Sequence, residues 1–468
     1  MSWLTQQVKT NEKGVAVRYN NESYTFSEVY DLVKIQQQKI LPIIKRNRRV
    51  ALIGRNSLEM YLNILALWEL NRQIVFLNFR LTETELDFQL KEASVSVIIG
   101  DANLKDKFPE QGFISFDLLE KQKTLIVKGN YQLSKTPIAS IMFTSGTTGK
   151  PKGVVQTFNN HLANGVATQE SLNLSKKDSW LCMTPIIHIS GLSIICRSLI
   201  SGVSVTLINH FDKINITKEL VSGNTTIISV VPTMLEQLLT CYPEAKYHPN
   251  FRAMLIGGSS VPKKLIDMCH EKEINIIQSF GMTETCSQVV ALPNRFAKQK
   301  INSSGLPLKD VQIRINEQNK ESIGEIWLKG PQVISNYLKP SDSWSEDGWF
   351  KTGDLGYLDE DGFLFVKSRM KELIISGGEN IYPAEIEHTL LQLEEVREIA
   401  VVGKLDDTWG QIPVAFIVTS KSINEIKSFT QKHLAKFKIP KEWYFLNDLP
   451  KTTSGKINKS LLMKEVEK

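Results

Sequence analysis

Between Arg48 and about Phe280, short apolar runs alternate with amphipathic stretches, and no other feature of the chain limits its fold as tightly. Val50 to Ile53, Ile74 to Leu77 and Val95 to Ile99 read as buried strands. Between the first two, Ser57 is placed to cap a helix whose Leu58, Tyr61, Leu62, Leu65 and Trp68 fall on one face. Thr82 and Glu85 have the spacing of a capping box and start a second helix. The alternation returns at Ile138 to Phe143, Val203 to Leu207, Thr226 to Val231 and Ala253 to Ile256, which predicts mostly parallel sheet flanked by crossover helices.

After Gly305 the pattern turns to hairpins, with Gly324 to Leu328, Trp349-Phe350 and Gly362 to Val366 arranged around an Asp359-Glu360-Asp361-Gly362 turn. The last ~100 residues have a mixed pattern of domain size. Glu379 to Leu393 reads as a helix with Pro383 in its first turn, Ile399 to Val402 and Val414 to Val418 as strands, and Ile423 to Lys436 as a second helix. The expected class is α/β: a large N-terminal domain of sheets flanked by helices with a β-rich subdomain, residues 1–370, and a small α+β C-terminal domain, residues 371–468.

With 468 residues, 42% of them hydrophobic, the chain can bury more than one core. Lys and Arg number 56 against 50 Asp and Glu, a net charge of +6 without a long basic run. That balance suits small anionic ligands and argues against nucleic acid. The N-terminal residues lack a charged segment followed by an apolar one, and no apolar run reaches the ~18 residues of a membrane span, so a cytoplasmic protein without membrane insertion is expected. The five cysteines are scattered with no metal-ligand spacing and read as reduced thiols. Oligomeric state is left open, a homo-oligomer included.

The most informative string is Phe143-Thr144-Ser145-Gly146-Thr147-Thr148-Gly149-Lys150-Pro151-Lys152-Gly153-Val154, directly after a predicted strand. Its glycines permit close backbone approach, its hydroxyls and N–H groups can donate to phosphate oxygens, and Lys150 and Lys152 add positive charge. Gly146 and Gly149 are too close together, and Lys150 is followed by Pro151, so this is not a Walker A loop.

Four more strings follow in order: Ser279-Phe280-Gly281-Met282-Thr283-Glu284-Thr285, Lys351-Thr352-Gly353-Asp354, Lys367 to Pro383, and Leu449 to Asn458. Together they resemble the adenylate-forming superfamily that includes acyl-CoA synthetases, firefly luciferase and nonribosomal-peptide adenylation domains. The resemblance covers nearly the whole chain. It implies a mobile C-terminal domain, ATP, Mg²⁺ and CoA as cofactor and co-substrates, and a small-molecule carboxylic acid as partner. By resemblance, residues Thr144, Ser145, Gly146, Thr147, Thr148, Gly149, Lys150 and Lys152 hold phosphates. Glu284 carries the Mg²⁺, a hard cation suited to one carboxylate plus phosphate oxygens, and Thr283 lies near the α-phosphate. The resemblance also gives Asp354 and Arg369 to the ribose, Gly257, Gly258 and Ser259 to the adenine, and Lys456 to the attacking carboxylate. Lys371 is the implied hinge, and Gly377 and Gly378 the implied lining of the pantetheine tunnel. Ser368 stands where family members often have Asp or Gly. Thr184 to Leu192 resembles the stretch whose histidine, here His188, gates the acyl pocket.

Within the superfamily, Ser279 to Gln288 and Pro185 to Leu192 are most similar to the ligases that activate o-succinylbenzoate for menaquinone biosynthesis. That substrate has a second carboxylate. Because no Arg or Lys adjoins Thr285-Cys286-Ser287-Gln288, the expected donors to it are Ser287 and Gln288, or water, with a charged contact from a distant loop as the alternative. The competing readings are a ligase for another aromatic or medium-chain acid, an enzyme that loads a carrier protein, and a non-catalytic binding protein. The presence of Lys456, Asp354 and Glu284 weighs against the last.

Overall fold

The computed structural model describes residues 2–108, 112–122, 135–144, 151–244, 246–258, 261–319, 322–376, 379–452 and 455–466. A six-stranded sheet runs in the order Gly112–Ser115, Val97–Gly100, Arg49–Ile53, Gln73–Leu77, Ile138–Thr144 and Lys152–Thr157. Its strands are parallel except for the last pair, which is antiparallel. Ser57 caps the helix Leu58–Glu69 through a bond from the Met60 N–H at 3.1 Å, and Thr82 and Glu85 form the expected box at the start of Glu83–Glu92.

A nine-stranded sheet lies beside it, with parallel strands Ile276–Met282, Ala253–Ile256, Ile227–Val230, Ser179–Cys182, Ser204–Leu207 and Val15–Tyr19 at its centre and antiparallel strands at its edges. Asn56, in the loop after Arg49–Ile53, joins the two sheets. Its buried amide donates to the carbonyls of Cys182, Thr184 and Ile208 at 3.3, 3.0 and 3.2 Å and accepts from the Ile186 N–H at 2.8 Å. A side-chain amide that answers four backbone groups removes what would otherwise be costly buried polar atoms.

The strands Gln312–Asn316, Gly324–Lys329, Phe350–Leu358 and Leu364–Arg369 form an antiparallel sheet, the β-rich part expected after Gly305. A short 3₁₀ turn, Met370–Glu372, leads into a smaller C-terminal domain. There a five-stranded sheet built around Val396–Asp406 and Gly410–Thr419 packs against Pro383–Leu390, Ile423–His433 and Lys459–Val466.

The helix expected from Glu379 begins only at Pro383 and ends at Leu390; Glu379–Ile381 instead pairs antiparallel with Ile374–Ser376. Pro383 crowds the residue before it out of the helical region, and Tyr382 is extended at φ −93° and ψ 109°. The Ile423 helix likewise stops at His433, where Leu434 becomes extended, rather than at Lys436.

Candidate active site

Asp354 and Arg369 face one another across the antiparallel strands that carry them. The Arg369 Nε lies 2.8 Å from Asp354 Oδ1, while Asp354 Oδ2 is buried without a hydrogen-bond partner among the described residues. Burial pushes the Asp354 carboxyl up to about 6; Glu372 and Glu284 act in the same sense, and Arg369 and Lys456 oppose them. Four charged groups from three of the motif strings therefore act on one carboxylate. An acceptor oxygen with no donor in a buried setting is suited to a ligand hydroxyl.

Glu284 lies in a single 3₁₀ turn, Thr283–Thr285, at the end of the strand Ile276–Met282. The turn closes because Thr285 Oγ1 bridges the Met282 N–H and the carbonyls of Met282 and Ser287. Gly281 is required beside it, since a Cβ there would sit 2.1 Å from the Ser287 oxygen. Glu284 Oε1 accepts from the Tyr337 hydroxyl at 3.0 Å and from Thr144 Oγ1 at 3.4 Å. Thr144 is the last described residue before the glycine-rich string, so the foot of that string touches the acidic residue. Thr283 offers its carbonyl to Gln156 Nε2 at 2.7 Å. Lys152, opening the next strand, donates to Ser341 Oγ at 3.2 Å and lies 5.2 Å from the centre of the Tyr337 ring. Among the described residues no group of three His, Cys, Asp or Glu side chains could hold a metal alone. A single carboxylate fits a Mg²⁺ that arrives with phosphate oxygens of its own.

Lys456 comes from the C-terminal domain into this region. A Cβ on Gly258, whose φ is +94°, would lie 2.9 Å from Lys456 Cε, so the lysine passes directly over the Gly257-Gly258 loop. Burial holds the Lys456 ammonium below its usual value; Arg369 adds to this and Asp354 opposes it. His188 precedes the helix Ile189–Ser201 and is half-buried; desolvation, aided by Arg80 and Lys456, pushes it down to about 4, so it is neutral. Lys371 lies apart, in the turn that joins the two domains.

Ser287 and Gln288 meet a cation after all. Arg197, from the helix Ile189–Ser201, donates through Nη2 to Ser287 Oγ at 2.9 Å, Gln288 Oε1 at 2.6 Å and Asn164 Oδ1 at 3.3 Å. Its guanidinium stacks over Trp180 at 4.9 Å, and its Nε is buried without a partner among the described residues. Every oxygen it reaches is neutral, and among the described residues no carboxylate pairs with it. Burial pulls its pKa down to about 9, which leaves it charged at neutral pH. Ser287 is held at φ +118°, a costly conformation for a non-glycine residue. The sequence signal for Arg197 was a lone arginine inside the apolar run Leu192 to Ile200. Tyr337 had no such signal. Ser145, Gly146, Thr147, Thr148, Gly149, Lys150, Ser259, Gly377 and Gly378 lie outside the described residues.

Family models for an AMP-binding enzyme and for an AMP-binding enzyme C-terminal domain match residues 4–338 and 385–456. A 2-succinylbenzoate-CoA ligase of Enterococcus faecalis is 47% identical, covering 99% of this chain and 98% of the relative. The o-succinylbenzoate CoA synthetase of Bacillus subtilis in complex with the acyl-adenylate OSB-AMP superposes with a TM-score of 0.92 at 36% identity, covering 98% of this chain and 97% of that one. The same enzyme with ATP and magnesium also gives 0.92, at 35% identity and coverage of 100% and 99%. A double-mutant form bound to the product analogue OSB-NCoA gives 0.76, at 36% identity and coverage of 99% and 98%.

Proposed function

Since this chain belongs to the AMP-binding enzyme family, and within it to the 2-succinylbenzoate-CoA ligases, we propose that it converts 2-succinylbenzoate, ATP and CoA to 2-succinylbenzoyl-CoA, AMP and diphosphate. This is a step of menaquinone biosynthesis. The observation that carries the choice of acid is Arg197. A buried guanidinium facing only neutral oxygens is costly, and a substrate with a second carboxylate supplies the missing anion. A monocarboxylic acid would leave the charge unanswered. Ser287 and Gln288 then orient Arg197 rather than receive the carboxylate alone.

In the first half-reaction a substrate carboxylate oxygen attacks the α-phosphorus of ATP, and the bond from that phosphorus to the leaving diphosphate breaks. Asp354 accepts from the ribose hydroxyls, with Arg369 holding it in place. Lys456 brings an ammonium to the reacting oxygens, where it stabilises the charge that develops. Thr144 and Lys152 flank the phosphates with the string between them. Glu284, fixed by Tyr337 and Thr144, holds the Mg²⁺, whose contribution when bound is to neutralise phosphate charge. His188 stays neutral and adds no charge to the acyl pocket.

In the second half-reaction the CoA sulfur attacks the acyl carbonyl, and the carbon–oxygen bond to AMP breaks. Lys456 fills the Gly258 side of the site and must leave to admit the thiol. A hinge at Lys371, dividing the chain into residues 1–370 and 371–468, supplies that motion and would present Gly377 and Gly378 to the pantetheine. The fall in TM-score from 0.92 to 0.76 between the adenylate and product-analogue forms of the Bacillus relative supports such a motion, because the sequence identity is the same. The five free cysteines suit a reducing cytoplasm.

The test is incubation with ATP, CoA and 2-succinylbenzoate, with the thioester followed by mass. The same acid without its ring carboxylate serves as control. Equal turnover of both acids would remove the role of Arg197, and absence of thioester from both would remove the ligase assignment.

A further inference from the structure

The lysine three positions after Lys456 has a larger part in the fold than its place near the chain end suggests. Lys459 opens the helix Lys459–Val466, and its Nζ lies 2.8 Å from Glu387 Oε1 and 3.1 Å from Glu372 Oε2. The side chains are 19%, 16% and 27% exposed, so the cluster is largely shielded from water. Glu387 is itself fixed, since its Oε1 accepts the Val401 N–H at 2.7 Å. Glu372 closes the turn Met370–Glu372, next to Lys371 and three residues beyond Arg369.

The described residues around Lys456, Pro450 to Thr452 and Gly455 to Asn458, form two feet that bond to one another. Lys451 pairs with Ile457, the Asn458 N–H donates to the Pro450 carbonyl at 2.7 Å, and the Lys456 N–H donates to Thr452 Oγ1 at 3.2 Å. One foot is held by an ion pair from Lys451 to Glu398 on the central sheet of the small domain. The other is held by Lys459, and that foot reaches the joining turn. A path of bonded contacts thus runs from Asp354 through Arg369 and the turn to Glu372, then through Lys459 to Lys456.

We infer that Lys459 is a positioning residue that ties the Lys456 turn to the hinge segment, so that Lys456 is delivered to the reacting oxygens in a fixed place when the small domain is in its adenylating position. This rests on the assignment of adenylation to Lys456. Without Lys459 the two glutamates are left as unpaired, shielded carboxylates that repel one another, and the second foot is free. Misplacing a reacting group by about 1 Å costs on the order of 10²-fold in rate. Substrate binding does not use this contact, so the loss falls on turnover and not on affinity.

The experiment compares Lys459→Met, Lys459→Arg and Glu372→Gln with the parent enzyme in the two half-reactions. Diphosphate exchange reports adenylation, and CoA capture of preformed acyl-adenylate reports thioester formation. Lys459→Met is expected to lower kcat for exchange by roughly 10- to 100-fold, with the KM for ATP unchanged and CoA capture largely kept. Lys459→Arg should restore most of the exchange. Glu372→Gln, which leaves the pair with Glu387 intact, should lower exchange by a few-fold, and it decides the matter if Lys459→Met does not fold. Equal loss in both half-reactions, failure of the arginine to rescue, or normal exchange in Glu372→Gln would each overturn the inference. Lys456→Ala is run beside them. If it keeps normal exchange, the adenylation assignment itself fails; if it loses exchange while Lys459→Met does not, only the role of Lys459 fails.

Discussion

Arg369 Nε holds one oxygen of Asp354 at 2.8 Å across an antiparallel pair and leaves the other buried and, among the described residues, unpartnered. A carboxylate fixed on one side and open on the other is ready for a diol. Because burial lifts this carboxyl to about 6 from 3.8, protonation competes with that role in the mildly acidic range.

The free enzyme should therefore lose kcat/KM for ATP as pH falls through about 6. Asp354→Asn should abolish the inflection and lower kcat/KM at pH 8 by about 10²-fold. The stability effect has the opposite sense. The folded state binds this proton more tightly than the unfolded chain, so the contribution is complete below pH 3.8 and is lost as pH rises through about 6. Thermal melts between pH 4 and 8 check it, since Asp354→Asn should flatten that part of the profile.

Arg197→Met should raise the KM for 2-succinylbenzoate by about 10²-fold and leave that for ATP unchanged, the size expected for a buried charged contact. The acid without its ring carboxylate should lose far less. A similar penalty for both acids would mean that Arg197 only supports the strand Ser287–Ala291.

Lys456→Ala should abolish diphosphate exchange and largely spare conversion of preformed acyl-adenylate. Lys371→Pro should do the reverse, because a fixed φ resists rotation while the adenylating arrangement is kept. Normal thioester synthesis by the proline variant would exclude Lys371 as the hinge.

Gly258→Val should lower adenylation by about tenfold or more, since the added side chain enters the path of Lys456 and the backbone is at φ +94°. Strain of about 1–3 kcal/mol should accompany it. Half-reaction assays beside a urea melt separate the two effects, and unchanged exchange in a folded Gly258→Val would place Lys456 elsewhere.

Local periodicity made most of the fold legible. The strands Arg49–Ile53 and Gln73–Leu77 and the capped helix between them follow from alternation and one serine. The helix expected from Glu379 to Leu393 was cut back to Pro383–Leu390, because Tyr382 and Pro383 outweighed the pattern at its start. Asp354, Glu284 and Lys456 could be picked out only through whole motif strings, because their electrostatic meeting at Asp354 is made by strand pairing and domain packing. Arg197 and Ser287 are 90 residues apart. No spacing rule links them, and Tyr337 reaches Glu284 over 53 residues in the same way.

Asn56 gives the catalytic cycle a fixed frame. By clasping four backbone groups at and just beyond the ends of the strands Ser179–Cys182 and Ser204–Leu207, it ties the two halves of the large domain together. In the proposed turning of the tail lobe, the acyl group and the nucleotide would stay where they were first bound. An intermediate as easily hydrolysed as a mixed anhydride would thereby be carried from one chemical step to the next without ever being moved.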